Sequence, residues 1–231
     1  LYTRINHVNN IVDLIDDMPH ATEEDAALYH RVKGEALFAR SQFYFALANL
    51  YGRPYRLDSA AVDLCVPLKL TSYVEHNKDQ ETQFSRATNA EVYAQVAKDL
   101  ETAASELTTA PQPDRFRLHR ASAEAANLLL SRVYLYMQRW SDAEKAARRV
   151  VESPRAKLAT IASLQGGQPF LTRNNVEILF TQGANHLAAS DRNTSLTGAP
   201  ADYCVSRELY ELYSSFDARR NAFFSTNSLS D

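Results

Sequence analysis

Six histidines are scattered along the chain at His7, His20, His30, His76, His119 and His186. None has a nucleophile-type motif beside it, so nothing pairs a serine or cysteine with an orienting base. The sequence holds no glycine-rich phosphate loop, no His-x-x-x-His pair and no Gly-x-Ser-x-Gly elbow. No readable pair of carboxylates is set up for hydrolysis either. The two cysteines, Cys65 and Cys204, are far apart and lack metal-ligand spacing. They read as free buried thiols, with a disulfide left open. These absences point away from catalysis, from a bound metal and from a cofactor. Chemistry of another kind gathers in two irregular stretches. Residues 53–87 offer Tyr55, Tyr73 and Phe84 with Arg53, Asn77 and Asp79. Residues 183–205 offer Asn185, His186, Asp191, Arg192, Asn193 and Tyr203. Flat rings beside amides, carboxylates and guanidinium groups can stack on a ligand and hydrogen-bond it. The same side chains can instead pin a loop or face water, which is the commoner use. Trp140, the only tryptophan, reads as packing in a helix turn, and Glu35 and Arg40 read as partners in internal salt bridges.

The elements that would carry these residues are helical. Tyr2, Ile5, Val8, Val12 and Ile15 recur at steps of three and four, and Pro19 ends that helix. Leu28, Val32, Ala36, Ala39, Phe43, Leu47 and Leu50 mark a long second helix, with Phe38, Tyr44 and Phe45 on its flank and Gly52 as its stop. After the 53–87 excursion, Thr88 and Glu91 form a capping box that opens a helix striped by Val92, Val96, Leu100, Ala103 and Leu107. A further helix covers 123–137, with Leu128, Leu129, Leu130, Val133, Tyr134 and Met137 largely buried. Ser141 and Glu144 read as a second capping box for a helix reaching Val151. Residues 176–180 read as a short strand, and 206–213 as a late helix.

Tyr134, Trp140, Ala143, Ala147 and Pro154 follow the spacing of a tetratricopeptide unit, two antiparallel helices in about 34 residues. The expected fold is therefore mainly α: antiparallel hairpins of tetratricopeptide-like type, with long irregular loops and little β. Residues 1–160 form the scaffold, and 161–231 an irregular segment with a short strand and a late helix. Alanine is plentiful while the chain has only 6 glycines, which fits long helices. A net charge of −3 gives no reason to expect nucleic acid as a partner. No apolar run is long enough for a membrane span, about 20 residues. The chain opens Leu-Tyr-Thr-Arg, which suggests a fragment or a processed chain whose signal or anchor lies upstream.

Several segments in order resemble the SusD/RagB family of outer-membrane nutrient-binding lipoproteins. They are Tyr2-x-x-Ile5-x-x-x-Asn9, then Gly34-Glu35-Ala36-Leu37-Phe38-Ala39-Arg40 through Tyr44-Phe45 to Leu50-Tyr51-Gly52. Arg86-Ala87-Thr88, Glu91-Val92-Tyr93 and Asp99-Leu100 follow, then Arg120, Ala123, Ala126, Leu129 and Ser131-Arg132-Val133-Tyr134-Leu135-Tyr136. Glu177-Ile178-Leu179-Phe180 and Leu209-x-x-Leu212-Tyr213 with Asp217-x-Arg219 complete the series. The resemblance implies a surface lipoprotein held to the outer membrane by a lipid anchor outside this chain. It would capture an oligosaccharide or other nutrient and work with a SusC-like TonB-dependent transporter. It implies no catalysis, and a chain shorter than the family's, with much of the C-terminal portion missing. From the side-chain chemistry of the two irregular stretches, Tyr55, Tyr73, Asn77, Asn185, His186 and Tyr203 are the candidate ligand contacts. The alternative is a tetratricopeptide-type adaptor that binds a partner protein and no ligand of its own.

Overall fold

The computed structural model describes residues 1–74, 84–113, 118–160, 176–181 and 205–224, with side chains left undescribed at 221–223. The chain divides into two compact units, Leu1–Ala156 and Lys157–Asp231.

In the first unit, helix α1 (Tyr2–Leu14) runs into a single 3-10 turn, Ile15–Asp17. Helix α2 (Glu23–Tyr51) starts at a capping box in which Thr22 and Asp25 satisfy each other's backbone N–H groups. A short antiparallel ribbon follows, pairing β1 (Leu64–Pro67) with β2 (Arg86–Thr88). Thr88 then caps helix α3 (Asn89–Thr109). The expected box is present: Glu91 N–H donates to Thr88 Oγ1 at 3.2 Å, and Thr88 N–H to Glu91 Oε2 at 2.7 Å. The Thr88 N–H bond, together with a second from the Thr88 hydroxyl to Oε2 at 2.8 Å, holds the Glu91 carboxyl below its ordinary range. Helices α4 (Ala123–Tyr136) and α5 (Trp140–Val151) close the unit. Packing is sequential, α1 on α2, α2 on α3, α3 on α4 and α4 on α5. This is the mainly α architecture of successive helical hairpins that the periodicity predicts.

Because α2 packs against both α1 and α3, its buried face is wide: Ala36 and Leu47 of the expected stripe and Phe38 and Tyr44 of its flank are covered. Leu28 and Leu50 are exposed, and the fully covered line runs Leu37, Ser41, Tyr44, Ala48. Small residues permit this. A Cβ on Gly34 would stand 2.6 Å from Leu107 Cγ and 3.2 Å from the Ala103 carbonyl, so α2 and α3 cross closely there. His30 Nδ1 and Glu106 Oε2, 2.6 Å apart, tie the same two helices at the surface. Glu35 and Arg40 do form internal ion pairs, Glu35 with Arg120 and Arg40 with Asp99.

The α4–α5 hairpin departs from expectation at its turn. Gln138 takes a left-handed conformation (φ 58), and helical bonding restarts at once, with Ala143 N–H donating to the Arg139 carbonyl at 2.9 Å. Helix α5 therefore begins at Trp140, which places Ser141 inside it, so no capping box forms there. Trp140 is 63% exposed, not buried in the turn as expected. The Arg139 guanidinium covers the Tyr134 ring instead, 4.4 Å from its centroid, while Asp142 holds Arg139 in place at 2.8 Å. Ala143 is buried as the repeat requires, whereas Leu128 is exposed.

In the second unit, Ser206 caps a short helix α6 (Arg207–Glu211) and Asp217 caps α7 (Ala218–Phe223). Phe224 packs edge-on to Tyr210 and Tyr213 at 5.6 and 5.1 Å, and Arg220 lies 4.2 Å over the Tyr210 ring. Residues 176–180 are a turn followed by a stretch of irregular backbone, so the expected strand does not form there.

Candidate functional site

The excursion between α2 and α3 is a strap fastened to the helices by buried polar groups. Helix α1 contributes Asn9, fully buried, whose Nδ2 donates to the carbonyls of Lys69 at 2.8 Å and Thr71 at 3.2 Å. From α2, the Tyr44 hydroxyl donates to the Lys69 carbonyl and accepts from the Lys69 N–H, both at 2.7 Å. Arg40 is gripped by Asp99 of α3 through Nε at 2.7 Å and Nη2 at 2.9 Å. Its Nη1 reaches Asn9 Oδ1 at 3.2 Å and the Leu70 carbonyl at 3.3 Å. At the rim, the Tyr2 hydroxyl donates to the Pro67 carbonyl, and Asp13 accepts from Ser72 N–H and Oγ at 2.7 Å.

An irregular backbone cannot satisfy its own polar groups, so a strap lying on apolar helices needs partners from them. Asn9, Arg40 and Tyr44 supply those partners. Burial pushes the Tyr44 and Tyr2 hydroxyls up to about 12, so both stay protonated and able to donate. These residues all fall within the segments that carry the family resemblance, and the fold brings them to one place.

The Lys69 ammonium donates to the Tyr73 carbonyl and lies 5.8 Å from the Tyr73 ring centroid and 5.9 Å from that of Phe84. Both rings are in cation–π range of one charge. Tyr73 is 61% exposed and Phe84 40%. Two solvent-facing aromatic surfaces beside an ammonium donor form an arrangement suited to stacking on a polyhydroxylated ring and bonding its hydroxyls. Lys69 was missed by sequence reasoning, since a lone lysine in a short apolar run gives no sign of which rings it will meet.

Tyr55 has a different place. Its ring packs edge-on to Tyr93 of α3 at 5.0 Å, which pins the start of the strap. Asn77, Asn185, His186 and Tyr203, with Asp79, Asp191, Arg192 and Asn193, lie outside the described residues. Cys65 is a buried free thiol whose pKa burial raises, and Cys204 lies outside the described residues. Among the described residues no group of His, Cys, Asp or Glu could hold a metal ion, and no helix is long and apolar enough to cross a membrane.

The family model SusD-like_3, described as starch-binding associating with outer membrane, matches residues 1–135. Solved structures are similar over larger spans. A SusD superfamily protein from Bacteroides thetaiotaomicron is 30% identical, with a TM-score of 0.59 over 71% of this chain and 34% of its own. A putative sugar binding protein from Bacteroides vulgatus is 26% identical, TM-score 0.56, over 72% of this chain and 33% of its own. A SusD-like carbohydrate binding protein from the same species shares the fold at TM-score 0.76 and 24% identity, over 95% of this chain and 44% of its own. The chain thus spans between about a third and a half of the length of these three solved structures. No curated protein matches it.

Proposed function

We propose, from the premise that this chain belongs to the SusD-like family of starch-binding proteins associating with the outer membrane, that it is the helical part of a lipid-anchored cell-surface protein that captures an oligosaccharide. The captured ligand passes to a SusC-like TonB-dependent transporter, and the protein binds its cargo without chemically changing it. The observation that carries the reading is the exposed Tyr73–Phe84 pair around Lys69, at the end of a strap fixed to three helices. The hydrogen bonds that hold residues 67–72 limit the ordering cost of binding at the neighbouring Tyr73. Two of the similar structures are described as sugar or carbohydrate binding, which fits this arrangement. The helices, with α5 carrying a charged outer face, serve as framework and as the surface offered to the transporter.

The test is affinity electrophoresis of the full-length protein through gels containing starch, plant polysaccharides or mucin-type glycans, alongside co-purification from the outer membrane. Retardation by at least one glycan, together with recovery of a TonB-dependent transporter, is expected. A transporter recovered with no glycan retained would remove ligand capture from the account.

A further inference from the structure

A concavity of about 450 Å³ opens on the first unit where α2 ends, and is lined by Tyr51, Gly52, Arg53, Val62, Asp63, Leu64 and Arg86. That volume falls within the range of pockets that hold small ligands. Tyr51 presents 66% of its surface, and Val62 and Leu64 are at least half exposed, so the lining joins an aromatic face to apolar rim. The polar groups divide unevenly in charge. Asp63 is committed on both oxygens, to Arg53 Nη1 at 3.1 Å and to Ser59 Oγ at 2.5 Å. Arg86 donates to two carbonyls, Cys65 at 2.6 Å and Leu64 at 2.9 Å, bonds that leave its charge uncancelled. The Arg53 side chain is 79% exposed and uses one nitrogen on Asp63, leaving the rest of its planar fork without a partner among the described residues. Two guanidinium groups thus face one occupied carboxylate. Beside them α2 ends, and the carbonyls after Ala48 have no helical partner, which makes them acceptors for hydroxyl donors.

We infer that this concavity is a second saccharide subsite that takes a carboxylated, uronate-type sugar. The ring stacks on Tyr51, its hydroxyls donate to the last-turn carbonyls of α2, and its carboxylate accepts from Arg53 in the field of Arg86. Arginine's fork fits a carboxylate better than it fits a neutral hydroxyl. The inference rests on the saccharide-binding function proposed above, while its residues are separate from Tyr73, Phe84 and Lys69.

The experiment is calorimetric titration of the full-length protein with a galacturonate oligosaccharide and with the neutral galactose oligosaccharide of the same length. The uronate is expected to bind more tightly. Arg53→Gln should weaken it about tenfold or more, in line with loss of a charge-assisted bond, and leave the neutral sugar unchanged. Tyr51→Ala should weaken the uronate in wild-type and Arg53→Gln backgrounds alike. Both changes are at exposed side chains, and unfolding midpoints within error of wild type confirm an intact fold. Equal affinity for the two sugars, or a uronate affinity indifferent to Arg53→Gln, overturns this subsite and leaves the Tyr73–Phe84 reading standing. Binding of neither sugar, nor of any glycan in the gel panel, overturns both.

Discussion

Replacing Asp99 by alanine tests how the strap is held. The Arg40 and Asp99 side chains are 6% and 4% exposed, so neither can turn to water when the other is removed. The substitution deletes two bonds to Arg40 and one from Gln95 Nε2 at 2.8 Å. It strands a guanidinium whose remaining partners are Asn9 Oδ1 and the Leu70 carbonyl, at 3.2 and 3.3 Å. Removing one member of a buried pair costs about 3–5 kcal/mol. For a domain of this size that corresponds to roughly 6–20 °C in Tm. Urea unfolding followed by circular dichroism measures the loss. Replacing both residues by leucine should cost clearly less than the two single changes summed, because no charge is left stranded. Amide exchange in Leu70 and Thr71 should speed up in the single variant before global unfolding, since the same guanidinium holds the strap. A cost for Asp99→Ala below about 1 kcal/mol, the level of an exposed pair, would refute the reasoning.

Gly52→Ala should destabilise by about 1–3 kcal/mol, seen as a lower urea midpoint, because the new methyl would stand 2.6 Å from the Ala48 carbonyl and 2.9 Å from Cys65 Sγ. Tyr2, Tyr44 and Tyr93 have folded pKa values pushed up to about 12, chiefly by burial, against about 10 in an unfolded chain. Between those values the unfolded chain gives up phenolic protons that the folded one keeps. Urea midpoints should therefore be unaffected by these groups below about pH 10 and fall from there toward 12, less steeply in Tyr44→Phe. Trp140→Ser should change stability by no more than about 0.5 kcal/mol, as its exposed indole implies, and a larger loss in the same assay would restore it to the hairpin's packing.

Legibility in the sequence followed distance along the chain. Thr88 and Glu91 are three residues apart, and their capping box forms as the local pattern implies. Thr22 and Asp25, also three residues apart, form another, with Asp in the position that Glu or Gln usually fills. The Ser141–Glu144 pattern misled because the left-handed Gln138 tightens the turn and starts α5 two residues sooner than the pattern allows for. Arg139, with no periodic role, covers the Tyr134 ring, while Trp140, read as packing in the turn, stays exposed. The strap's fastening was least legible. Asn9, Arg40, Lys69 and Asp99 are about 30 or more residues apart, and no local spacing announces that they meet. A pattern built on apolar periodicity also gives no sign that the buried face of α2 includes the polar Arg40 and Ser41.

The central claim is that the aromatic pair on the strap contacts a saccharide. Its most direct test is calorimetric titration of the full-length protein with an oligosaccharide from whichever glycan retards it in the gel panel, before and after Tyr73→Ala with Phe84→Ala. Both rings are exposed, so the double variant should keep its unfolding midpoint. Loss of two stacking contacts, about 0.5–1.5 kcal/mol each, predicts an affinity lower by roughly 5- to 150-fold. An unchanged affinity in a folded double variant would contradict the claim.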